Sequence, residues 1–224
     1  MATLTKLLIH GARGRMGQAL VRLSEPDKGF SVVACTGRSD LPALDTVPEF
    51  DVAVDFSAPE GFDAVLSLCL NRGKPLVSGT TGLSSLQFDA LAQAAQTIPV
   101  LWASNFSLGV AVLDRLVAEA GQLLQDWQLD ILESHHIHKK DAPSGTALSL
   151  GATAKAATGR DPVYHSLRVG DVVGGHTVQF TGIGERIELV HRATDRDIFA
   201  RGALHAAKRL GQKPPGLYKI SEIL

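Results

Sequence analysis

Between residues 7 and 102, short apolar runs alternate with amphipathic stretches, and that alternation constrains the fold more than any other feature. Residues 7–10, 31–35, 52–56, 75–78 and 99–102 read as buried strands. Helix candidates lie between them at 18–23 and 60–71, and a third runs from a Ser84 cap to about 96. Parallel neighbours need crossover connections, and helices are the usual crossovers. The expected unit is therefore a Rossmann-type parallel sheet with helices on both faces.

The pattern changes after Asn105. A long helix is expected over 108–124, a strand over 129–132 and a helix over 144–158. Residues 176–181 and 185–191 alternate as strands, and Gly182-Ile183-Gly184 between them implies antiparallel pairing. A final helix is expected over 195–210, broken by Pro214-Pro215-Gly216. The fold class is thus α/β, with a dinucleotide-binding domain over 1–105 and an α+β domain with an open mixed sheet over 106–202. An open sheet in a small domain needs a cover, and a second copy of the chain is the expected one, which implies a homo-oligomer.

Composition narrows the partners. Apolar residues make up 45% and charged residues 20%, with a net charge of −1, so nothing favours bulk attraction to nucleic acid or membrane. Recognition of an anion must then be local. No run approaches the roughly 18 apolar residues of a membrane span, and the first residues carry no signal-type apolar stretch. Cys35 and Cys69 lie in apolar surroundings and read as reduced core thiols, which suits the cytoplasm.

Gly11-Ala12-Arg13-Gly14-Arg15-Met16-Gly17 falls between the first strand and the first helix. Glycines there let the backbone approach a pyrophosphate, and the helix start offers unpaired N–H groups. The second strand ends at Thr36-Gly37-Arg38-Ser39, with no acid before Asp40. Arg38 is placed to meet a 2′-phosphate, so NADPH is expected to serve at least as well as NADH. Gly79, Thr80 and Thr81 follow the fourth strand, and Ala103, Ser104, Asn105 and Phe106 follow the fifth. Both sets lie at the carboxyl edge of the sheet, where ligands bind in such folds; the first could border nicotinamide or ribose, and either could instead be a plain turn.

The richest segment is Glu133-Ser134-His135-His136-Ile137-His138-Lys139-Lys140-Asp141-Ala142-Pro143-Ser144-Gly145-Thr146-Ala147, which holds three of the eight histidines. Histidine delivers protons at neutral pH, lysines polarise a developing anion, and Ser144, Gly145 and Thr146 open a helix that can cradle a carboxylate. A metal cluster is disfavoured by the histidine spacing, the adjacent lysines and the lack of nearby cysteines. A solvated loop is the bland alternative. Asp141 reads better as a cap or salt-bridge partner than as a catalytic group. A small, multiply negative substrate that must receive a proton suits the segment.

This segment resembles the signature of the dihydrodipicolinate reductase family, roughly E-x-H-H-x-x-K-x-D-x-P-S-G-T-A. Other stretches resemble family loops as well: Gly14-Arg15-Met16-Gly17, Asp55-Phe56-Ser57, Gly79-Thr80-Thr81-Gly82, Asn105-Phe106-Ser107, Arg168-x-Gly170, Gly174-x-His176 and Gly184-Glu185-Arg186. The resemblance implies hydride transfer from NADPH or NADH to a cyclic dicarboxylate in diaminopimelate and lysine biosynthesis. It implies His135 as proton donor, with Lys139 binding and polarising the intermediate. His136 and the Gly145–Thr146 backbone would contact the carboxylates. It also implies a homotetramer joined through the second sheet, with residues 203–224 packing back on the first domain. Arg13 stands where the family commonly has glycine, and Gly37 where many members carry an acid. Two rivals share the first half: another two-domain NADP oxidoreductase, and a dinucleotide-sensing regulator without turnover. Neither needs His135 together with Lys139.

Overall fold

The computed structural model of the chain describes residues 4–24, 29–37, 44 and 46–224. The chain divides into two compact units, one of residues 1–106 with 199–224 and one of 107–198.

The first unit is built on six parallel strands: β1 (Thr5–His10), β2 (Phe30–Thr36), β3 (Val52–Asp55), β4 (Leu76–Ser78), β5 (Pro99–Trp102) and β10 (Gly216–Tyr218). Their order is β10-β5-β4-β3-β1-β2, so the winding reverses between β1 and β3. Successive strand residues face opposite sides, and both sides are apolar. Leu7, Ile9, Val52, Val54, Val77 and Leu101 enter one core, which α1 (Arg15–Leu23) and α6 (Asp197–Leu210) cover. Leu8, Ala53, Leu76 and Val100 enter the other, covered by α2 (Pro59–Arg72) and α3 (Ser85–Ala94). The Ser84 side chain accepts from the Gln87 amide and closes a capping box that sets the start of α3.

The second unit contains α4 (Leu108–Leu123), α5 (Gly145–Thr158) and the strands β6 (Gln128–His135), β7 (Val163–Arg168), β8 (Gly174–Thr181) and β9 (Arg186–Ala193). The sheet order is β7-β6-β8-β9, parallel between β6 and β7 and antiparallel elsewhere. Leu129 and Phe180 pair across β6 and β8, as do Ile131 and Val178. These residues pack with Leu113, Val117, Ala147, Leu150 and Ala154 from the two helices.

Several expectations need correction. Gly17 lies inside α1, which begins at Arg15, because the tight turn ends earlier than the glycine spacing suggests. A Cβ on Gly17 would collide with the Gly11 carbonyl, so that glycine serves helix–turn packing. β6 runs on to His135, so the acid candidate ends a strand. β7 and β10 have no counterpart among the expected strands; β7 follows a helix and β10 is only Gly216–Tyr218, behind two prolines. The chain re-enters the first unit at Phe199, ahead of position 203. Cys69 is a buried thiol whose pKa burial pushes up, but Cys35 sits on the edge strand β2 and is exposed, so only one of the two is a core thiol.

The closest approach in the first unit is at Gly202 of α6, where a Cβ would overlap the Phe106 carbonyl. Backbone offers no rotamer with which to yield. Gly202→Ala is expected to destabilise the protein by about 1–3 kcal/mol through overpacking, read as a lower denaturant midpoint. An unchanged midpoint would show that α6 can shift freely.

Candidate active site

In the first unit the turn after β1 is set by Gly11, whose φ of +80° suits glycine and where a Cβ would strike the Phe56 carbonyl. The N-cap of α1 is Gly14, with no side-chain cap, so the helix start faces outward without a competing side chain. Gly11, Arg13, Gly14, Gly37, Phe56, Ser57 and Ala58 line a cleft of about 650 Å³ beside this turn. It lies at the β1/β3 reversal, where dinucleotides bind in such sheets. Bare backbone, an open helix start and exposed Arg13 and Arg15 fit a pyrophosphate. Met16 and Ala12 pack against the core and hold the turn from below. Arg38 lies outside the described residues.

The loops after β3 and β4 are joined through buried Asp55. Its carboxylate accepts from Ser78 Oγ at 2.8 Å, Thr80 Oγ1 at 2.8 Å and the Ser57 amide at 3.1 Å. Trp102 Nε1 donates to the Thr80 carbonyl at 2.9 Å, and the Ala103 amide donates to the Ser78 carbonyl. Gly79 leaves room for the Phe56 ring, which meets Phe106 at 5.2 Å. The Thr80 hydroxyl and the Phe106 ring thus face inward, whereas Thr81 and Ser104 are exposed and Ala103 and Asn105 are half-buried.

In the second unit, the apolar core rows of the sheet give way to a polar row. Glu133 of β6 pairs with His176 of β8, His176 with His191 of β9, and Glu133 with Ser166 of β7. One step further, His135 lies opposite Arg168. Glu133 and His135 are two apart on one strand and so share the buried face. His135 Nδ1 is 2.5 Å from Glu133 Oε2. Arg168 clamps the same carboxylate with both Nη atoms, at 3.0 and 2.7 Å. Burial alone would raise the Glu133 carboxyl, but hydrogen bonds from Arg168, Ser166 and His135 hold it down at about 2.

The expected substrate residues follow directly. The Ser144 side chain caps α5 by accepting from the Ala147 amide, and its Oγ lies 3.2 Å from His176 Nε2. Ser144 itself is buried, while the Gly145–Thr146 peptide opens the helix on a more exposed side. Lys139 Nζ donates to both oxygens of Asp141 at 2.8 Å, so Asp141 is its ion-pair partner. Burial, followed by the positive charge of Arg196, lowers the His136 pKa. The rings of His136 and His138 are 6.2 Å apart while His135 turns to Glu133, so the three do not converge. Glu133, Arg168 and His176 had no assigned role in the sequence reading. The clue lay in strand alternation, which puts an acid and a histidine on a core face behind Leu129 and Ile131.

Family models match both halves of the chain: "Dihydrodipicolinate reductase, N-terminus" over residues 5–106 and "Dihydrodipicolinate reductase, C-terminus" over 109–224. The chain belongs to the dihydrodipicolinate reductase family. It is 60% identical to the 4-hydroxy-tetrahydrodipicolinate reductase of Xanthomonas axonopodis pv. citri, over 98% of this chain and 97% of that one. It is 54% identical to the enzyme of the same name from Xylella fastidiosa, over 100% of both. A solved dipicolinate-bound dihydrodipicolinate reductase from Paenisporosarcina sp. TG-14 shares the fold, with a TM-score of 0.88 at 21% identity over 99% of this chain and 100% of that chain. The chain is accordingly an NAD(P)H-dependent oxidoreductase. No helix among the described residues is long and apolar enough to cross a membrane.

The polar row makes stability in this reductase depend on pH. Burial, then the charges of His135 and His191, lower the His176 pKa from 6.5 to about 4. Between those values the unfolded chain binds the extra proton, so stability falls as the pH drops through that window. Glu133 acts lower down: its contribution is complete above its ordinary 4.5 and is lost as pH falls towards about 2. Denaturation midpoints are expected to decline from about pH 7 to pH 4, with a shallower decline in His176→Gln. Equal slopes in the two proteins would remove His176 from this account.

Proposed function

We propose that this chain reduces 4-hydroxy-tetrahydrodipicolinate to tetrahydrodipicolinate in the diaminopimelate route to lysine, with loss of water. The observation that carries the reading is a buried histidine, held at Nδ1 by a carboxylate, on the strand that leads to Lys139 and the open start of α5. A bound NAD(P)H supplies the hydride. The chain's own task is to bind a dianion, support the negative charge that develops on the ring and deliver a proton to it.

His135 is the proton donor in this reading. With Nδ1 on Glu133, its Nε2 is the atom left to act, and Gly174 keeps room beside it: a Cβ there would come within 3.1 Å of Nε2. His136 suits the donor role less, because burial and the surrounding cations favour its neutral form. The Gly145–Thr146 peptide at the start of α5 receives one substrate carboxylate, and His136 lies in the same segment as a neutral contact. Lys139 takes a substrate carboxylate by exchanging it for the Asp141 side chain, so the lysine stays paired before and after binding. The turn from Gly11 to Gly14 and the start of α1 hold the pyrophosphate, with Gly17 packing the helix against that turn. The Gly79–Thr81 and Ala103–Phe106 loops border the nicotinamide through backbone and exposed edges.

The face of the second unit's sheet opposite α4 and α5 carries Val163, Leu167 and Val190 exposed among polar residues. That face supports assembly as a homotetramer, for which light scattering would return a tetramer and a monomer would overturn the assignment.

Mixing the protein with NADPH and freshly generated substrate is expected to consume the cofactor, seen as falling nicotinamide absorbance. His135→Gln and Lys139→Gln should each lower turnover by about 10²-fold or more. No oxidation by the wild type refutes the activity, and full activity in both variants refutes the roles.

A further inference from the structure

The Glu133 carboxylate has more partners than the orientation of one histidine requires. Its side chain is fully buried. Oε2 faces His135 Nδ1 and accepts from Arg168 Nη1, while Oε1 accepts from Arg168 Nη2 and, at 3.3 Å, from the Ser144 amide. Arg168 continues the chain of contacts. Its Nη2 also donates to the Asp141 carbonyl at 2.5 Å, and the Asp141 carboxylate holds Lys139. One anion thus ties together the proton donor, the start of the α5 cradle and, through Arg168, the lysine loop.

We propose that Glu133 and Arg168 are positioning residues for proton delivery: Glu133 fixes the His135 ring with Nε2 outward, and Arg168 shares the Glu133 charge so that His135 can release its proton. The inference rests on the reading of His135 as the donor. A buried carboxylate facing histidine alone would form a tight ion pair in a poorly solvated site, and the imidazolium would keep its proton. A bidentate guanidinium already satisfies that anion. The imidazole is then oriented by the carboxylate without being locked in its charged form.

The groups around His135 make the balance readable. Arg168 approaches from β7, and the His176 ring from β8 lies 5.2 Å away. His136 and Lys139 lie in the segment that follows His135, and Lys139 is paired to Asp141. Glu133 supplies the opposing negative charge. Removing either partner of the clamp should therefore move the titration of the donor in opposite directions.

A general acid works while protonated, so kcat/KM falls as pH rises through its pKa. Glu133→Gln removes the anion that favours the imidazolium, and this alkaline limb should move down by about one pH unit or more. Activity above the limb then drops roughly tenfold per unit. Arg168→Met leaves the Glu133 charge to His135 alone, and the limb should move up. Unmoved limbs, or limbs that move the same way, overturn the proposal, because a merely structural role lowers kcat without opposite shifts. If the variants do not fold, the wild type decides through its ring nitrogens, assigned by comparison with His135→Gln. An Nδ1–H tautomer of neutral His135 with a strongly downfield proton supports the clamp, and an Nε2–H tautomer overturns it. The tautomer is read without turnover, so a wild type that fails to oxidise NADPH would refute the activity separately.

Discussion

The polar row of the second unit is organised around the fully buried Glu133 carboxylate. A carboxylate without solvent is tolerated only if donors converge on it, and Glu133 draws them from β6, β7 and the start of α5. That requirement fixes register. Slipping β6 by one residue would turn Glu133 and His135 to the opposite face and leave Arg168 without its carboxylate. The apolar rows Leu129–Phe180 and Ile131–Val178 set the same register, so core packing and the polar cluster favour one arrangement.

The first unit uses the same device with a different purpose. Asp55 is also a buried carboxylate at the carboxyl end of a strand, but its donors are two hydroxyls and an amide rather than a cation. It ties together the loops after β3 and β4, and Trp102 and Ala103 bond to Thr80 and Ser78 from the β5 side. Asp55 thus ties loop to loop, and Glu133 orients the His135 ring. The difference lies in what surrounds each carboxylate, uncharged donors in one case and arginine with histidine in the other.

Much of this was legible in the sequence. Strand–helix alternation predicts the parallel sheet because central strands must be apolar on both faces, as Leu7, Leu8 and Ile9 are. Ser84 and Ser144 announce helix starts by local chemistry, and both side chains cap as expected. The histidine segment was visible from composition, and its family from the longer signature. Roles for Glu133, Arg168 and His176 were not legible, because they depend on which residues of four strands come to lie in one row. β10 is only Gly216–Tyr218, and its place beside β5 is decided by tertiary pairing rather than local preference. Cys35 misled because apolar neighbours do not reveal that β2 is an edge.

The return of the chain to its first unit bears on how the molecule is made. Helix α6 supplies Ala200, Ala203, Leu204, Ala206, Ala207 and Leu210 to one face of the six-stranded sheet. On the ribosome, residues 107–198 emerge before that cover does. The continuous unit therefore has all of its strands available first, while the unit that starts the chain waits with one apolar face covered by α1 alone and without β10. Translation thus inverts the usual N-terminal-first order, and the nucleotide half, first to be synthesised, is the last to be completed.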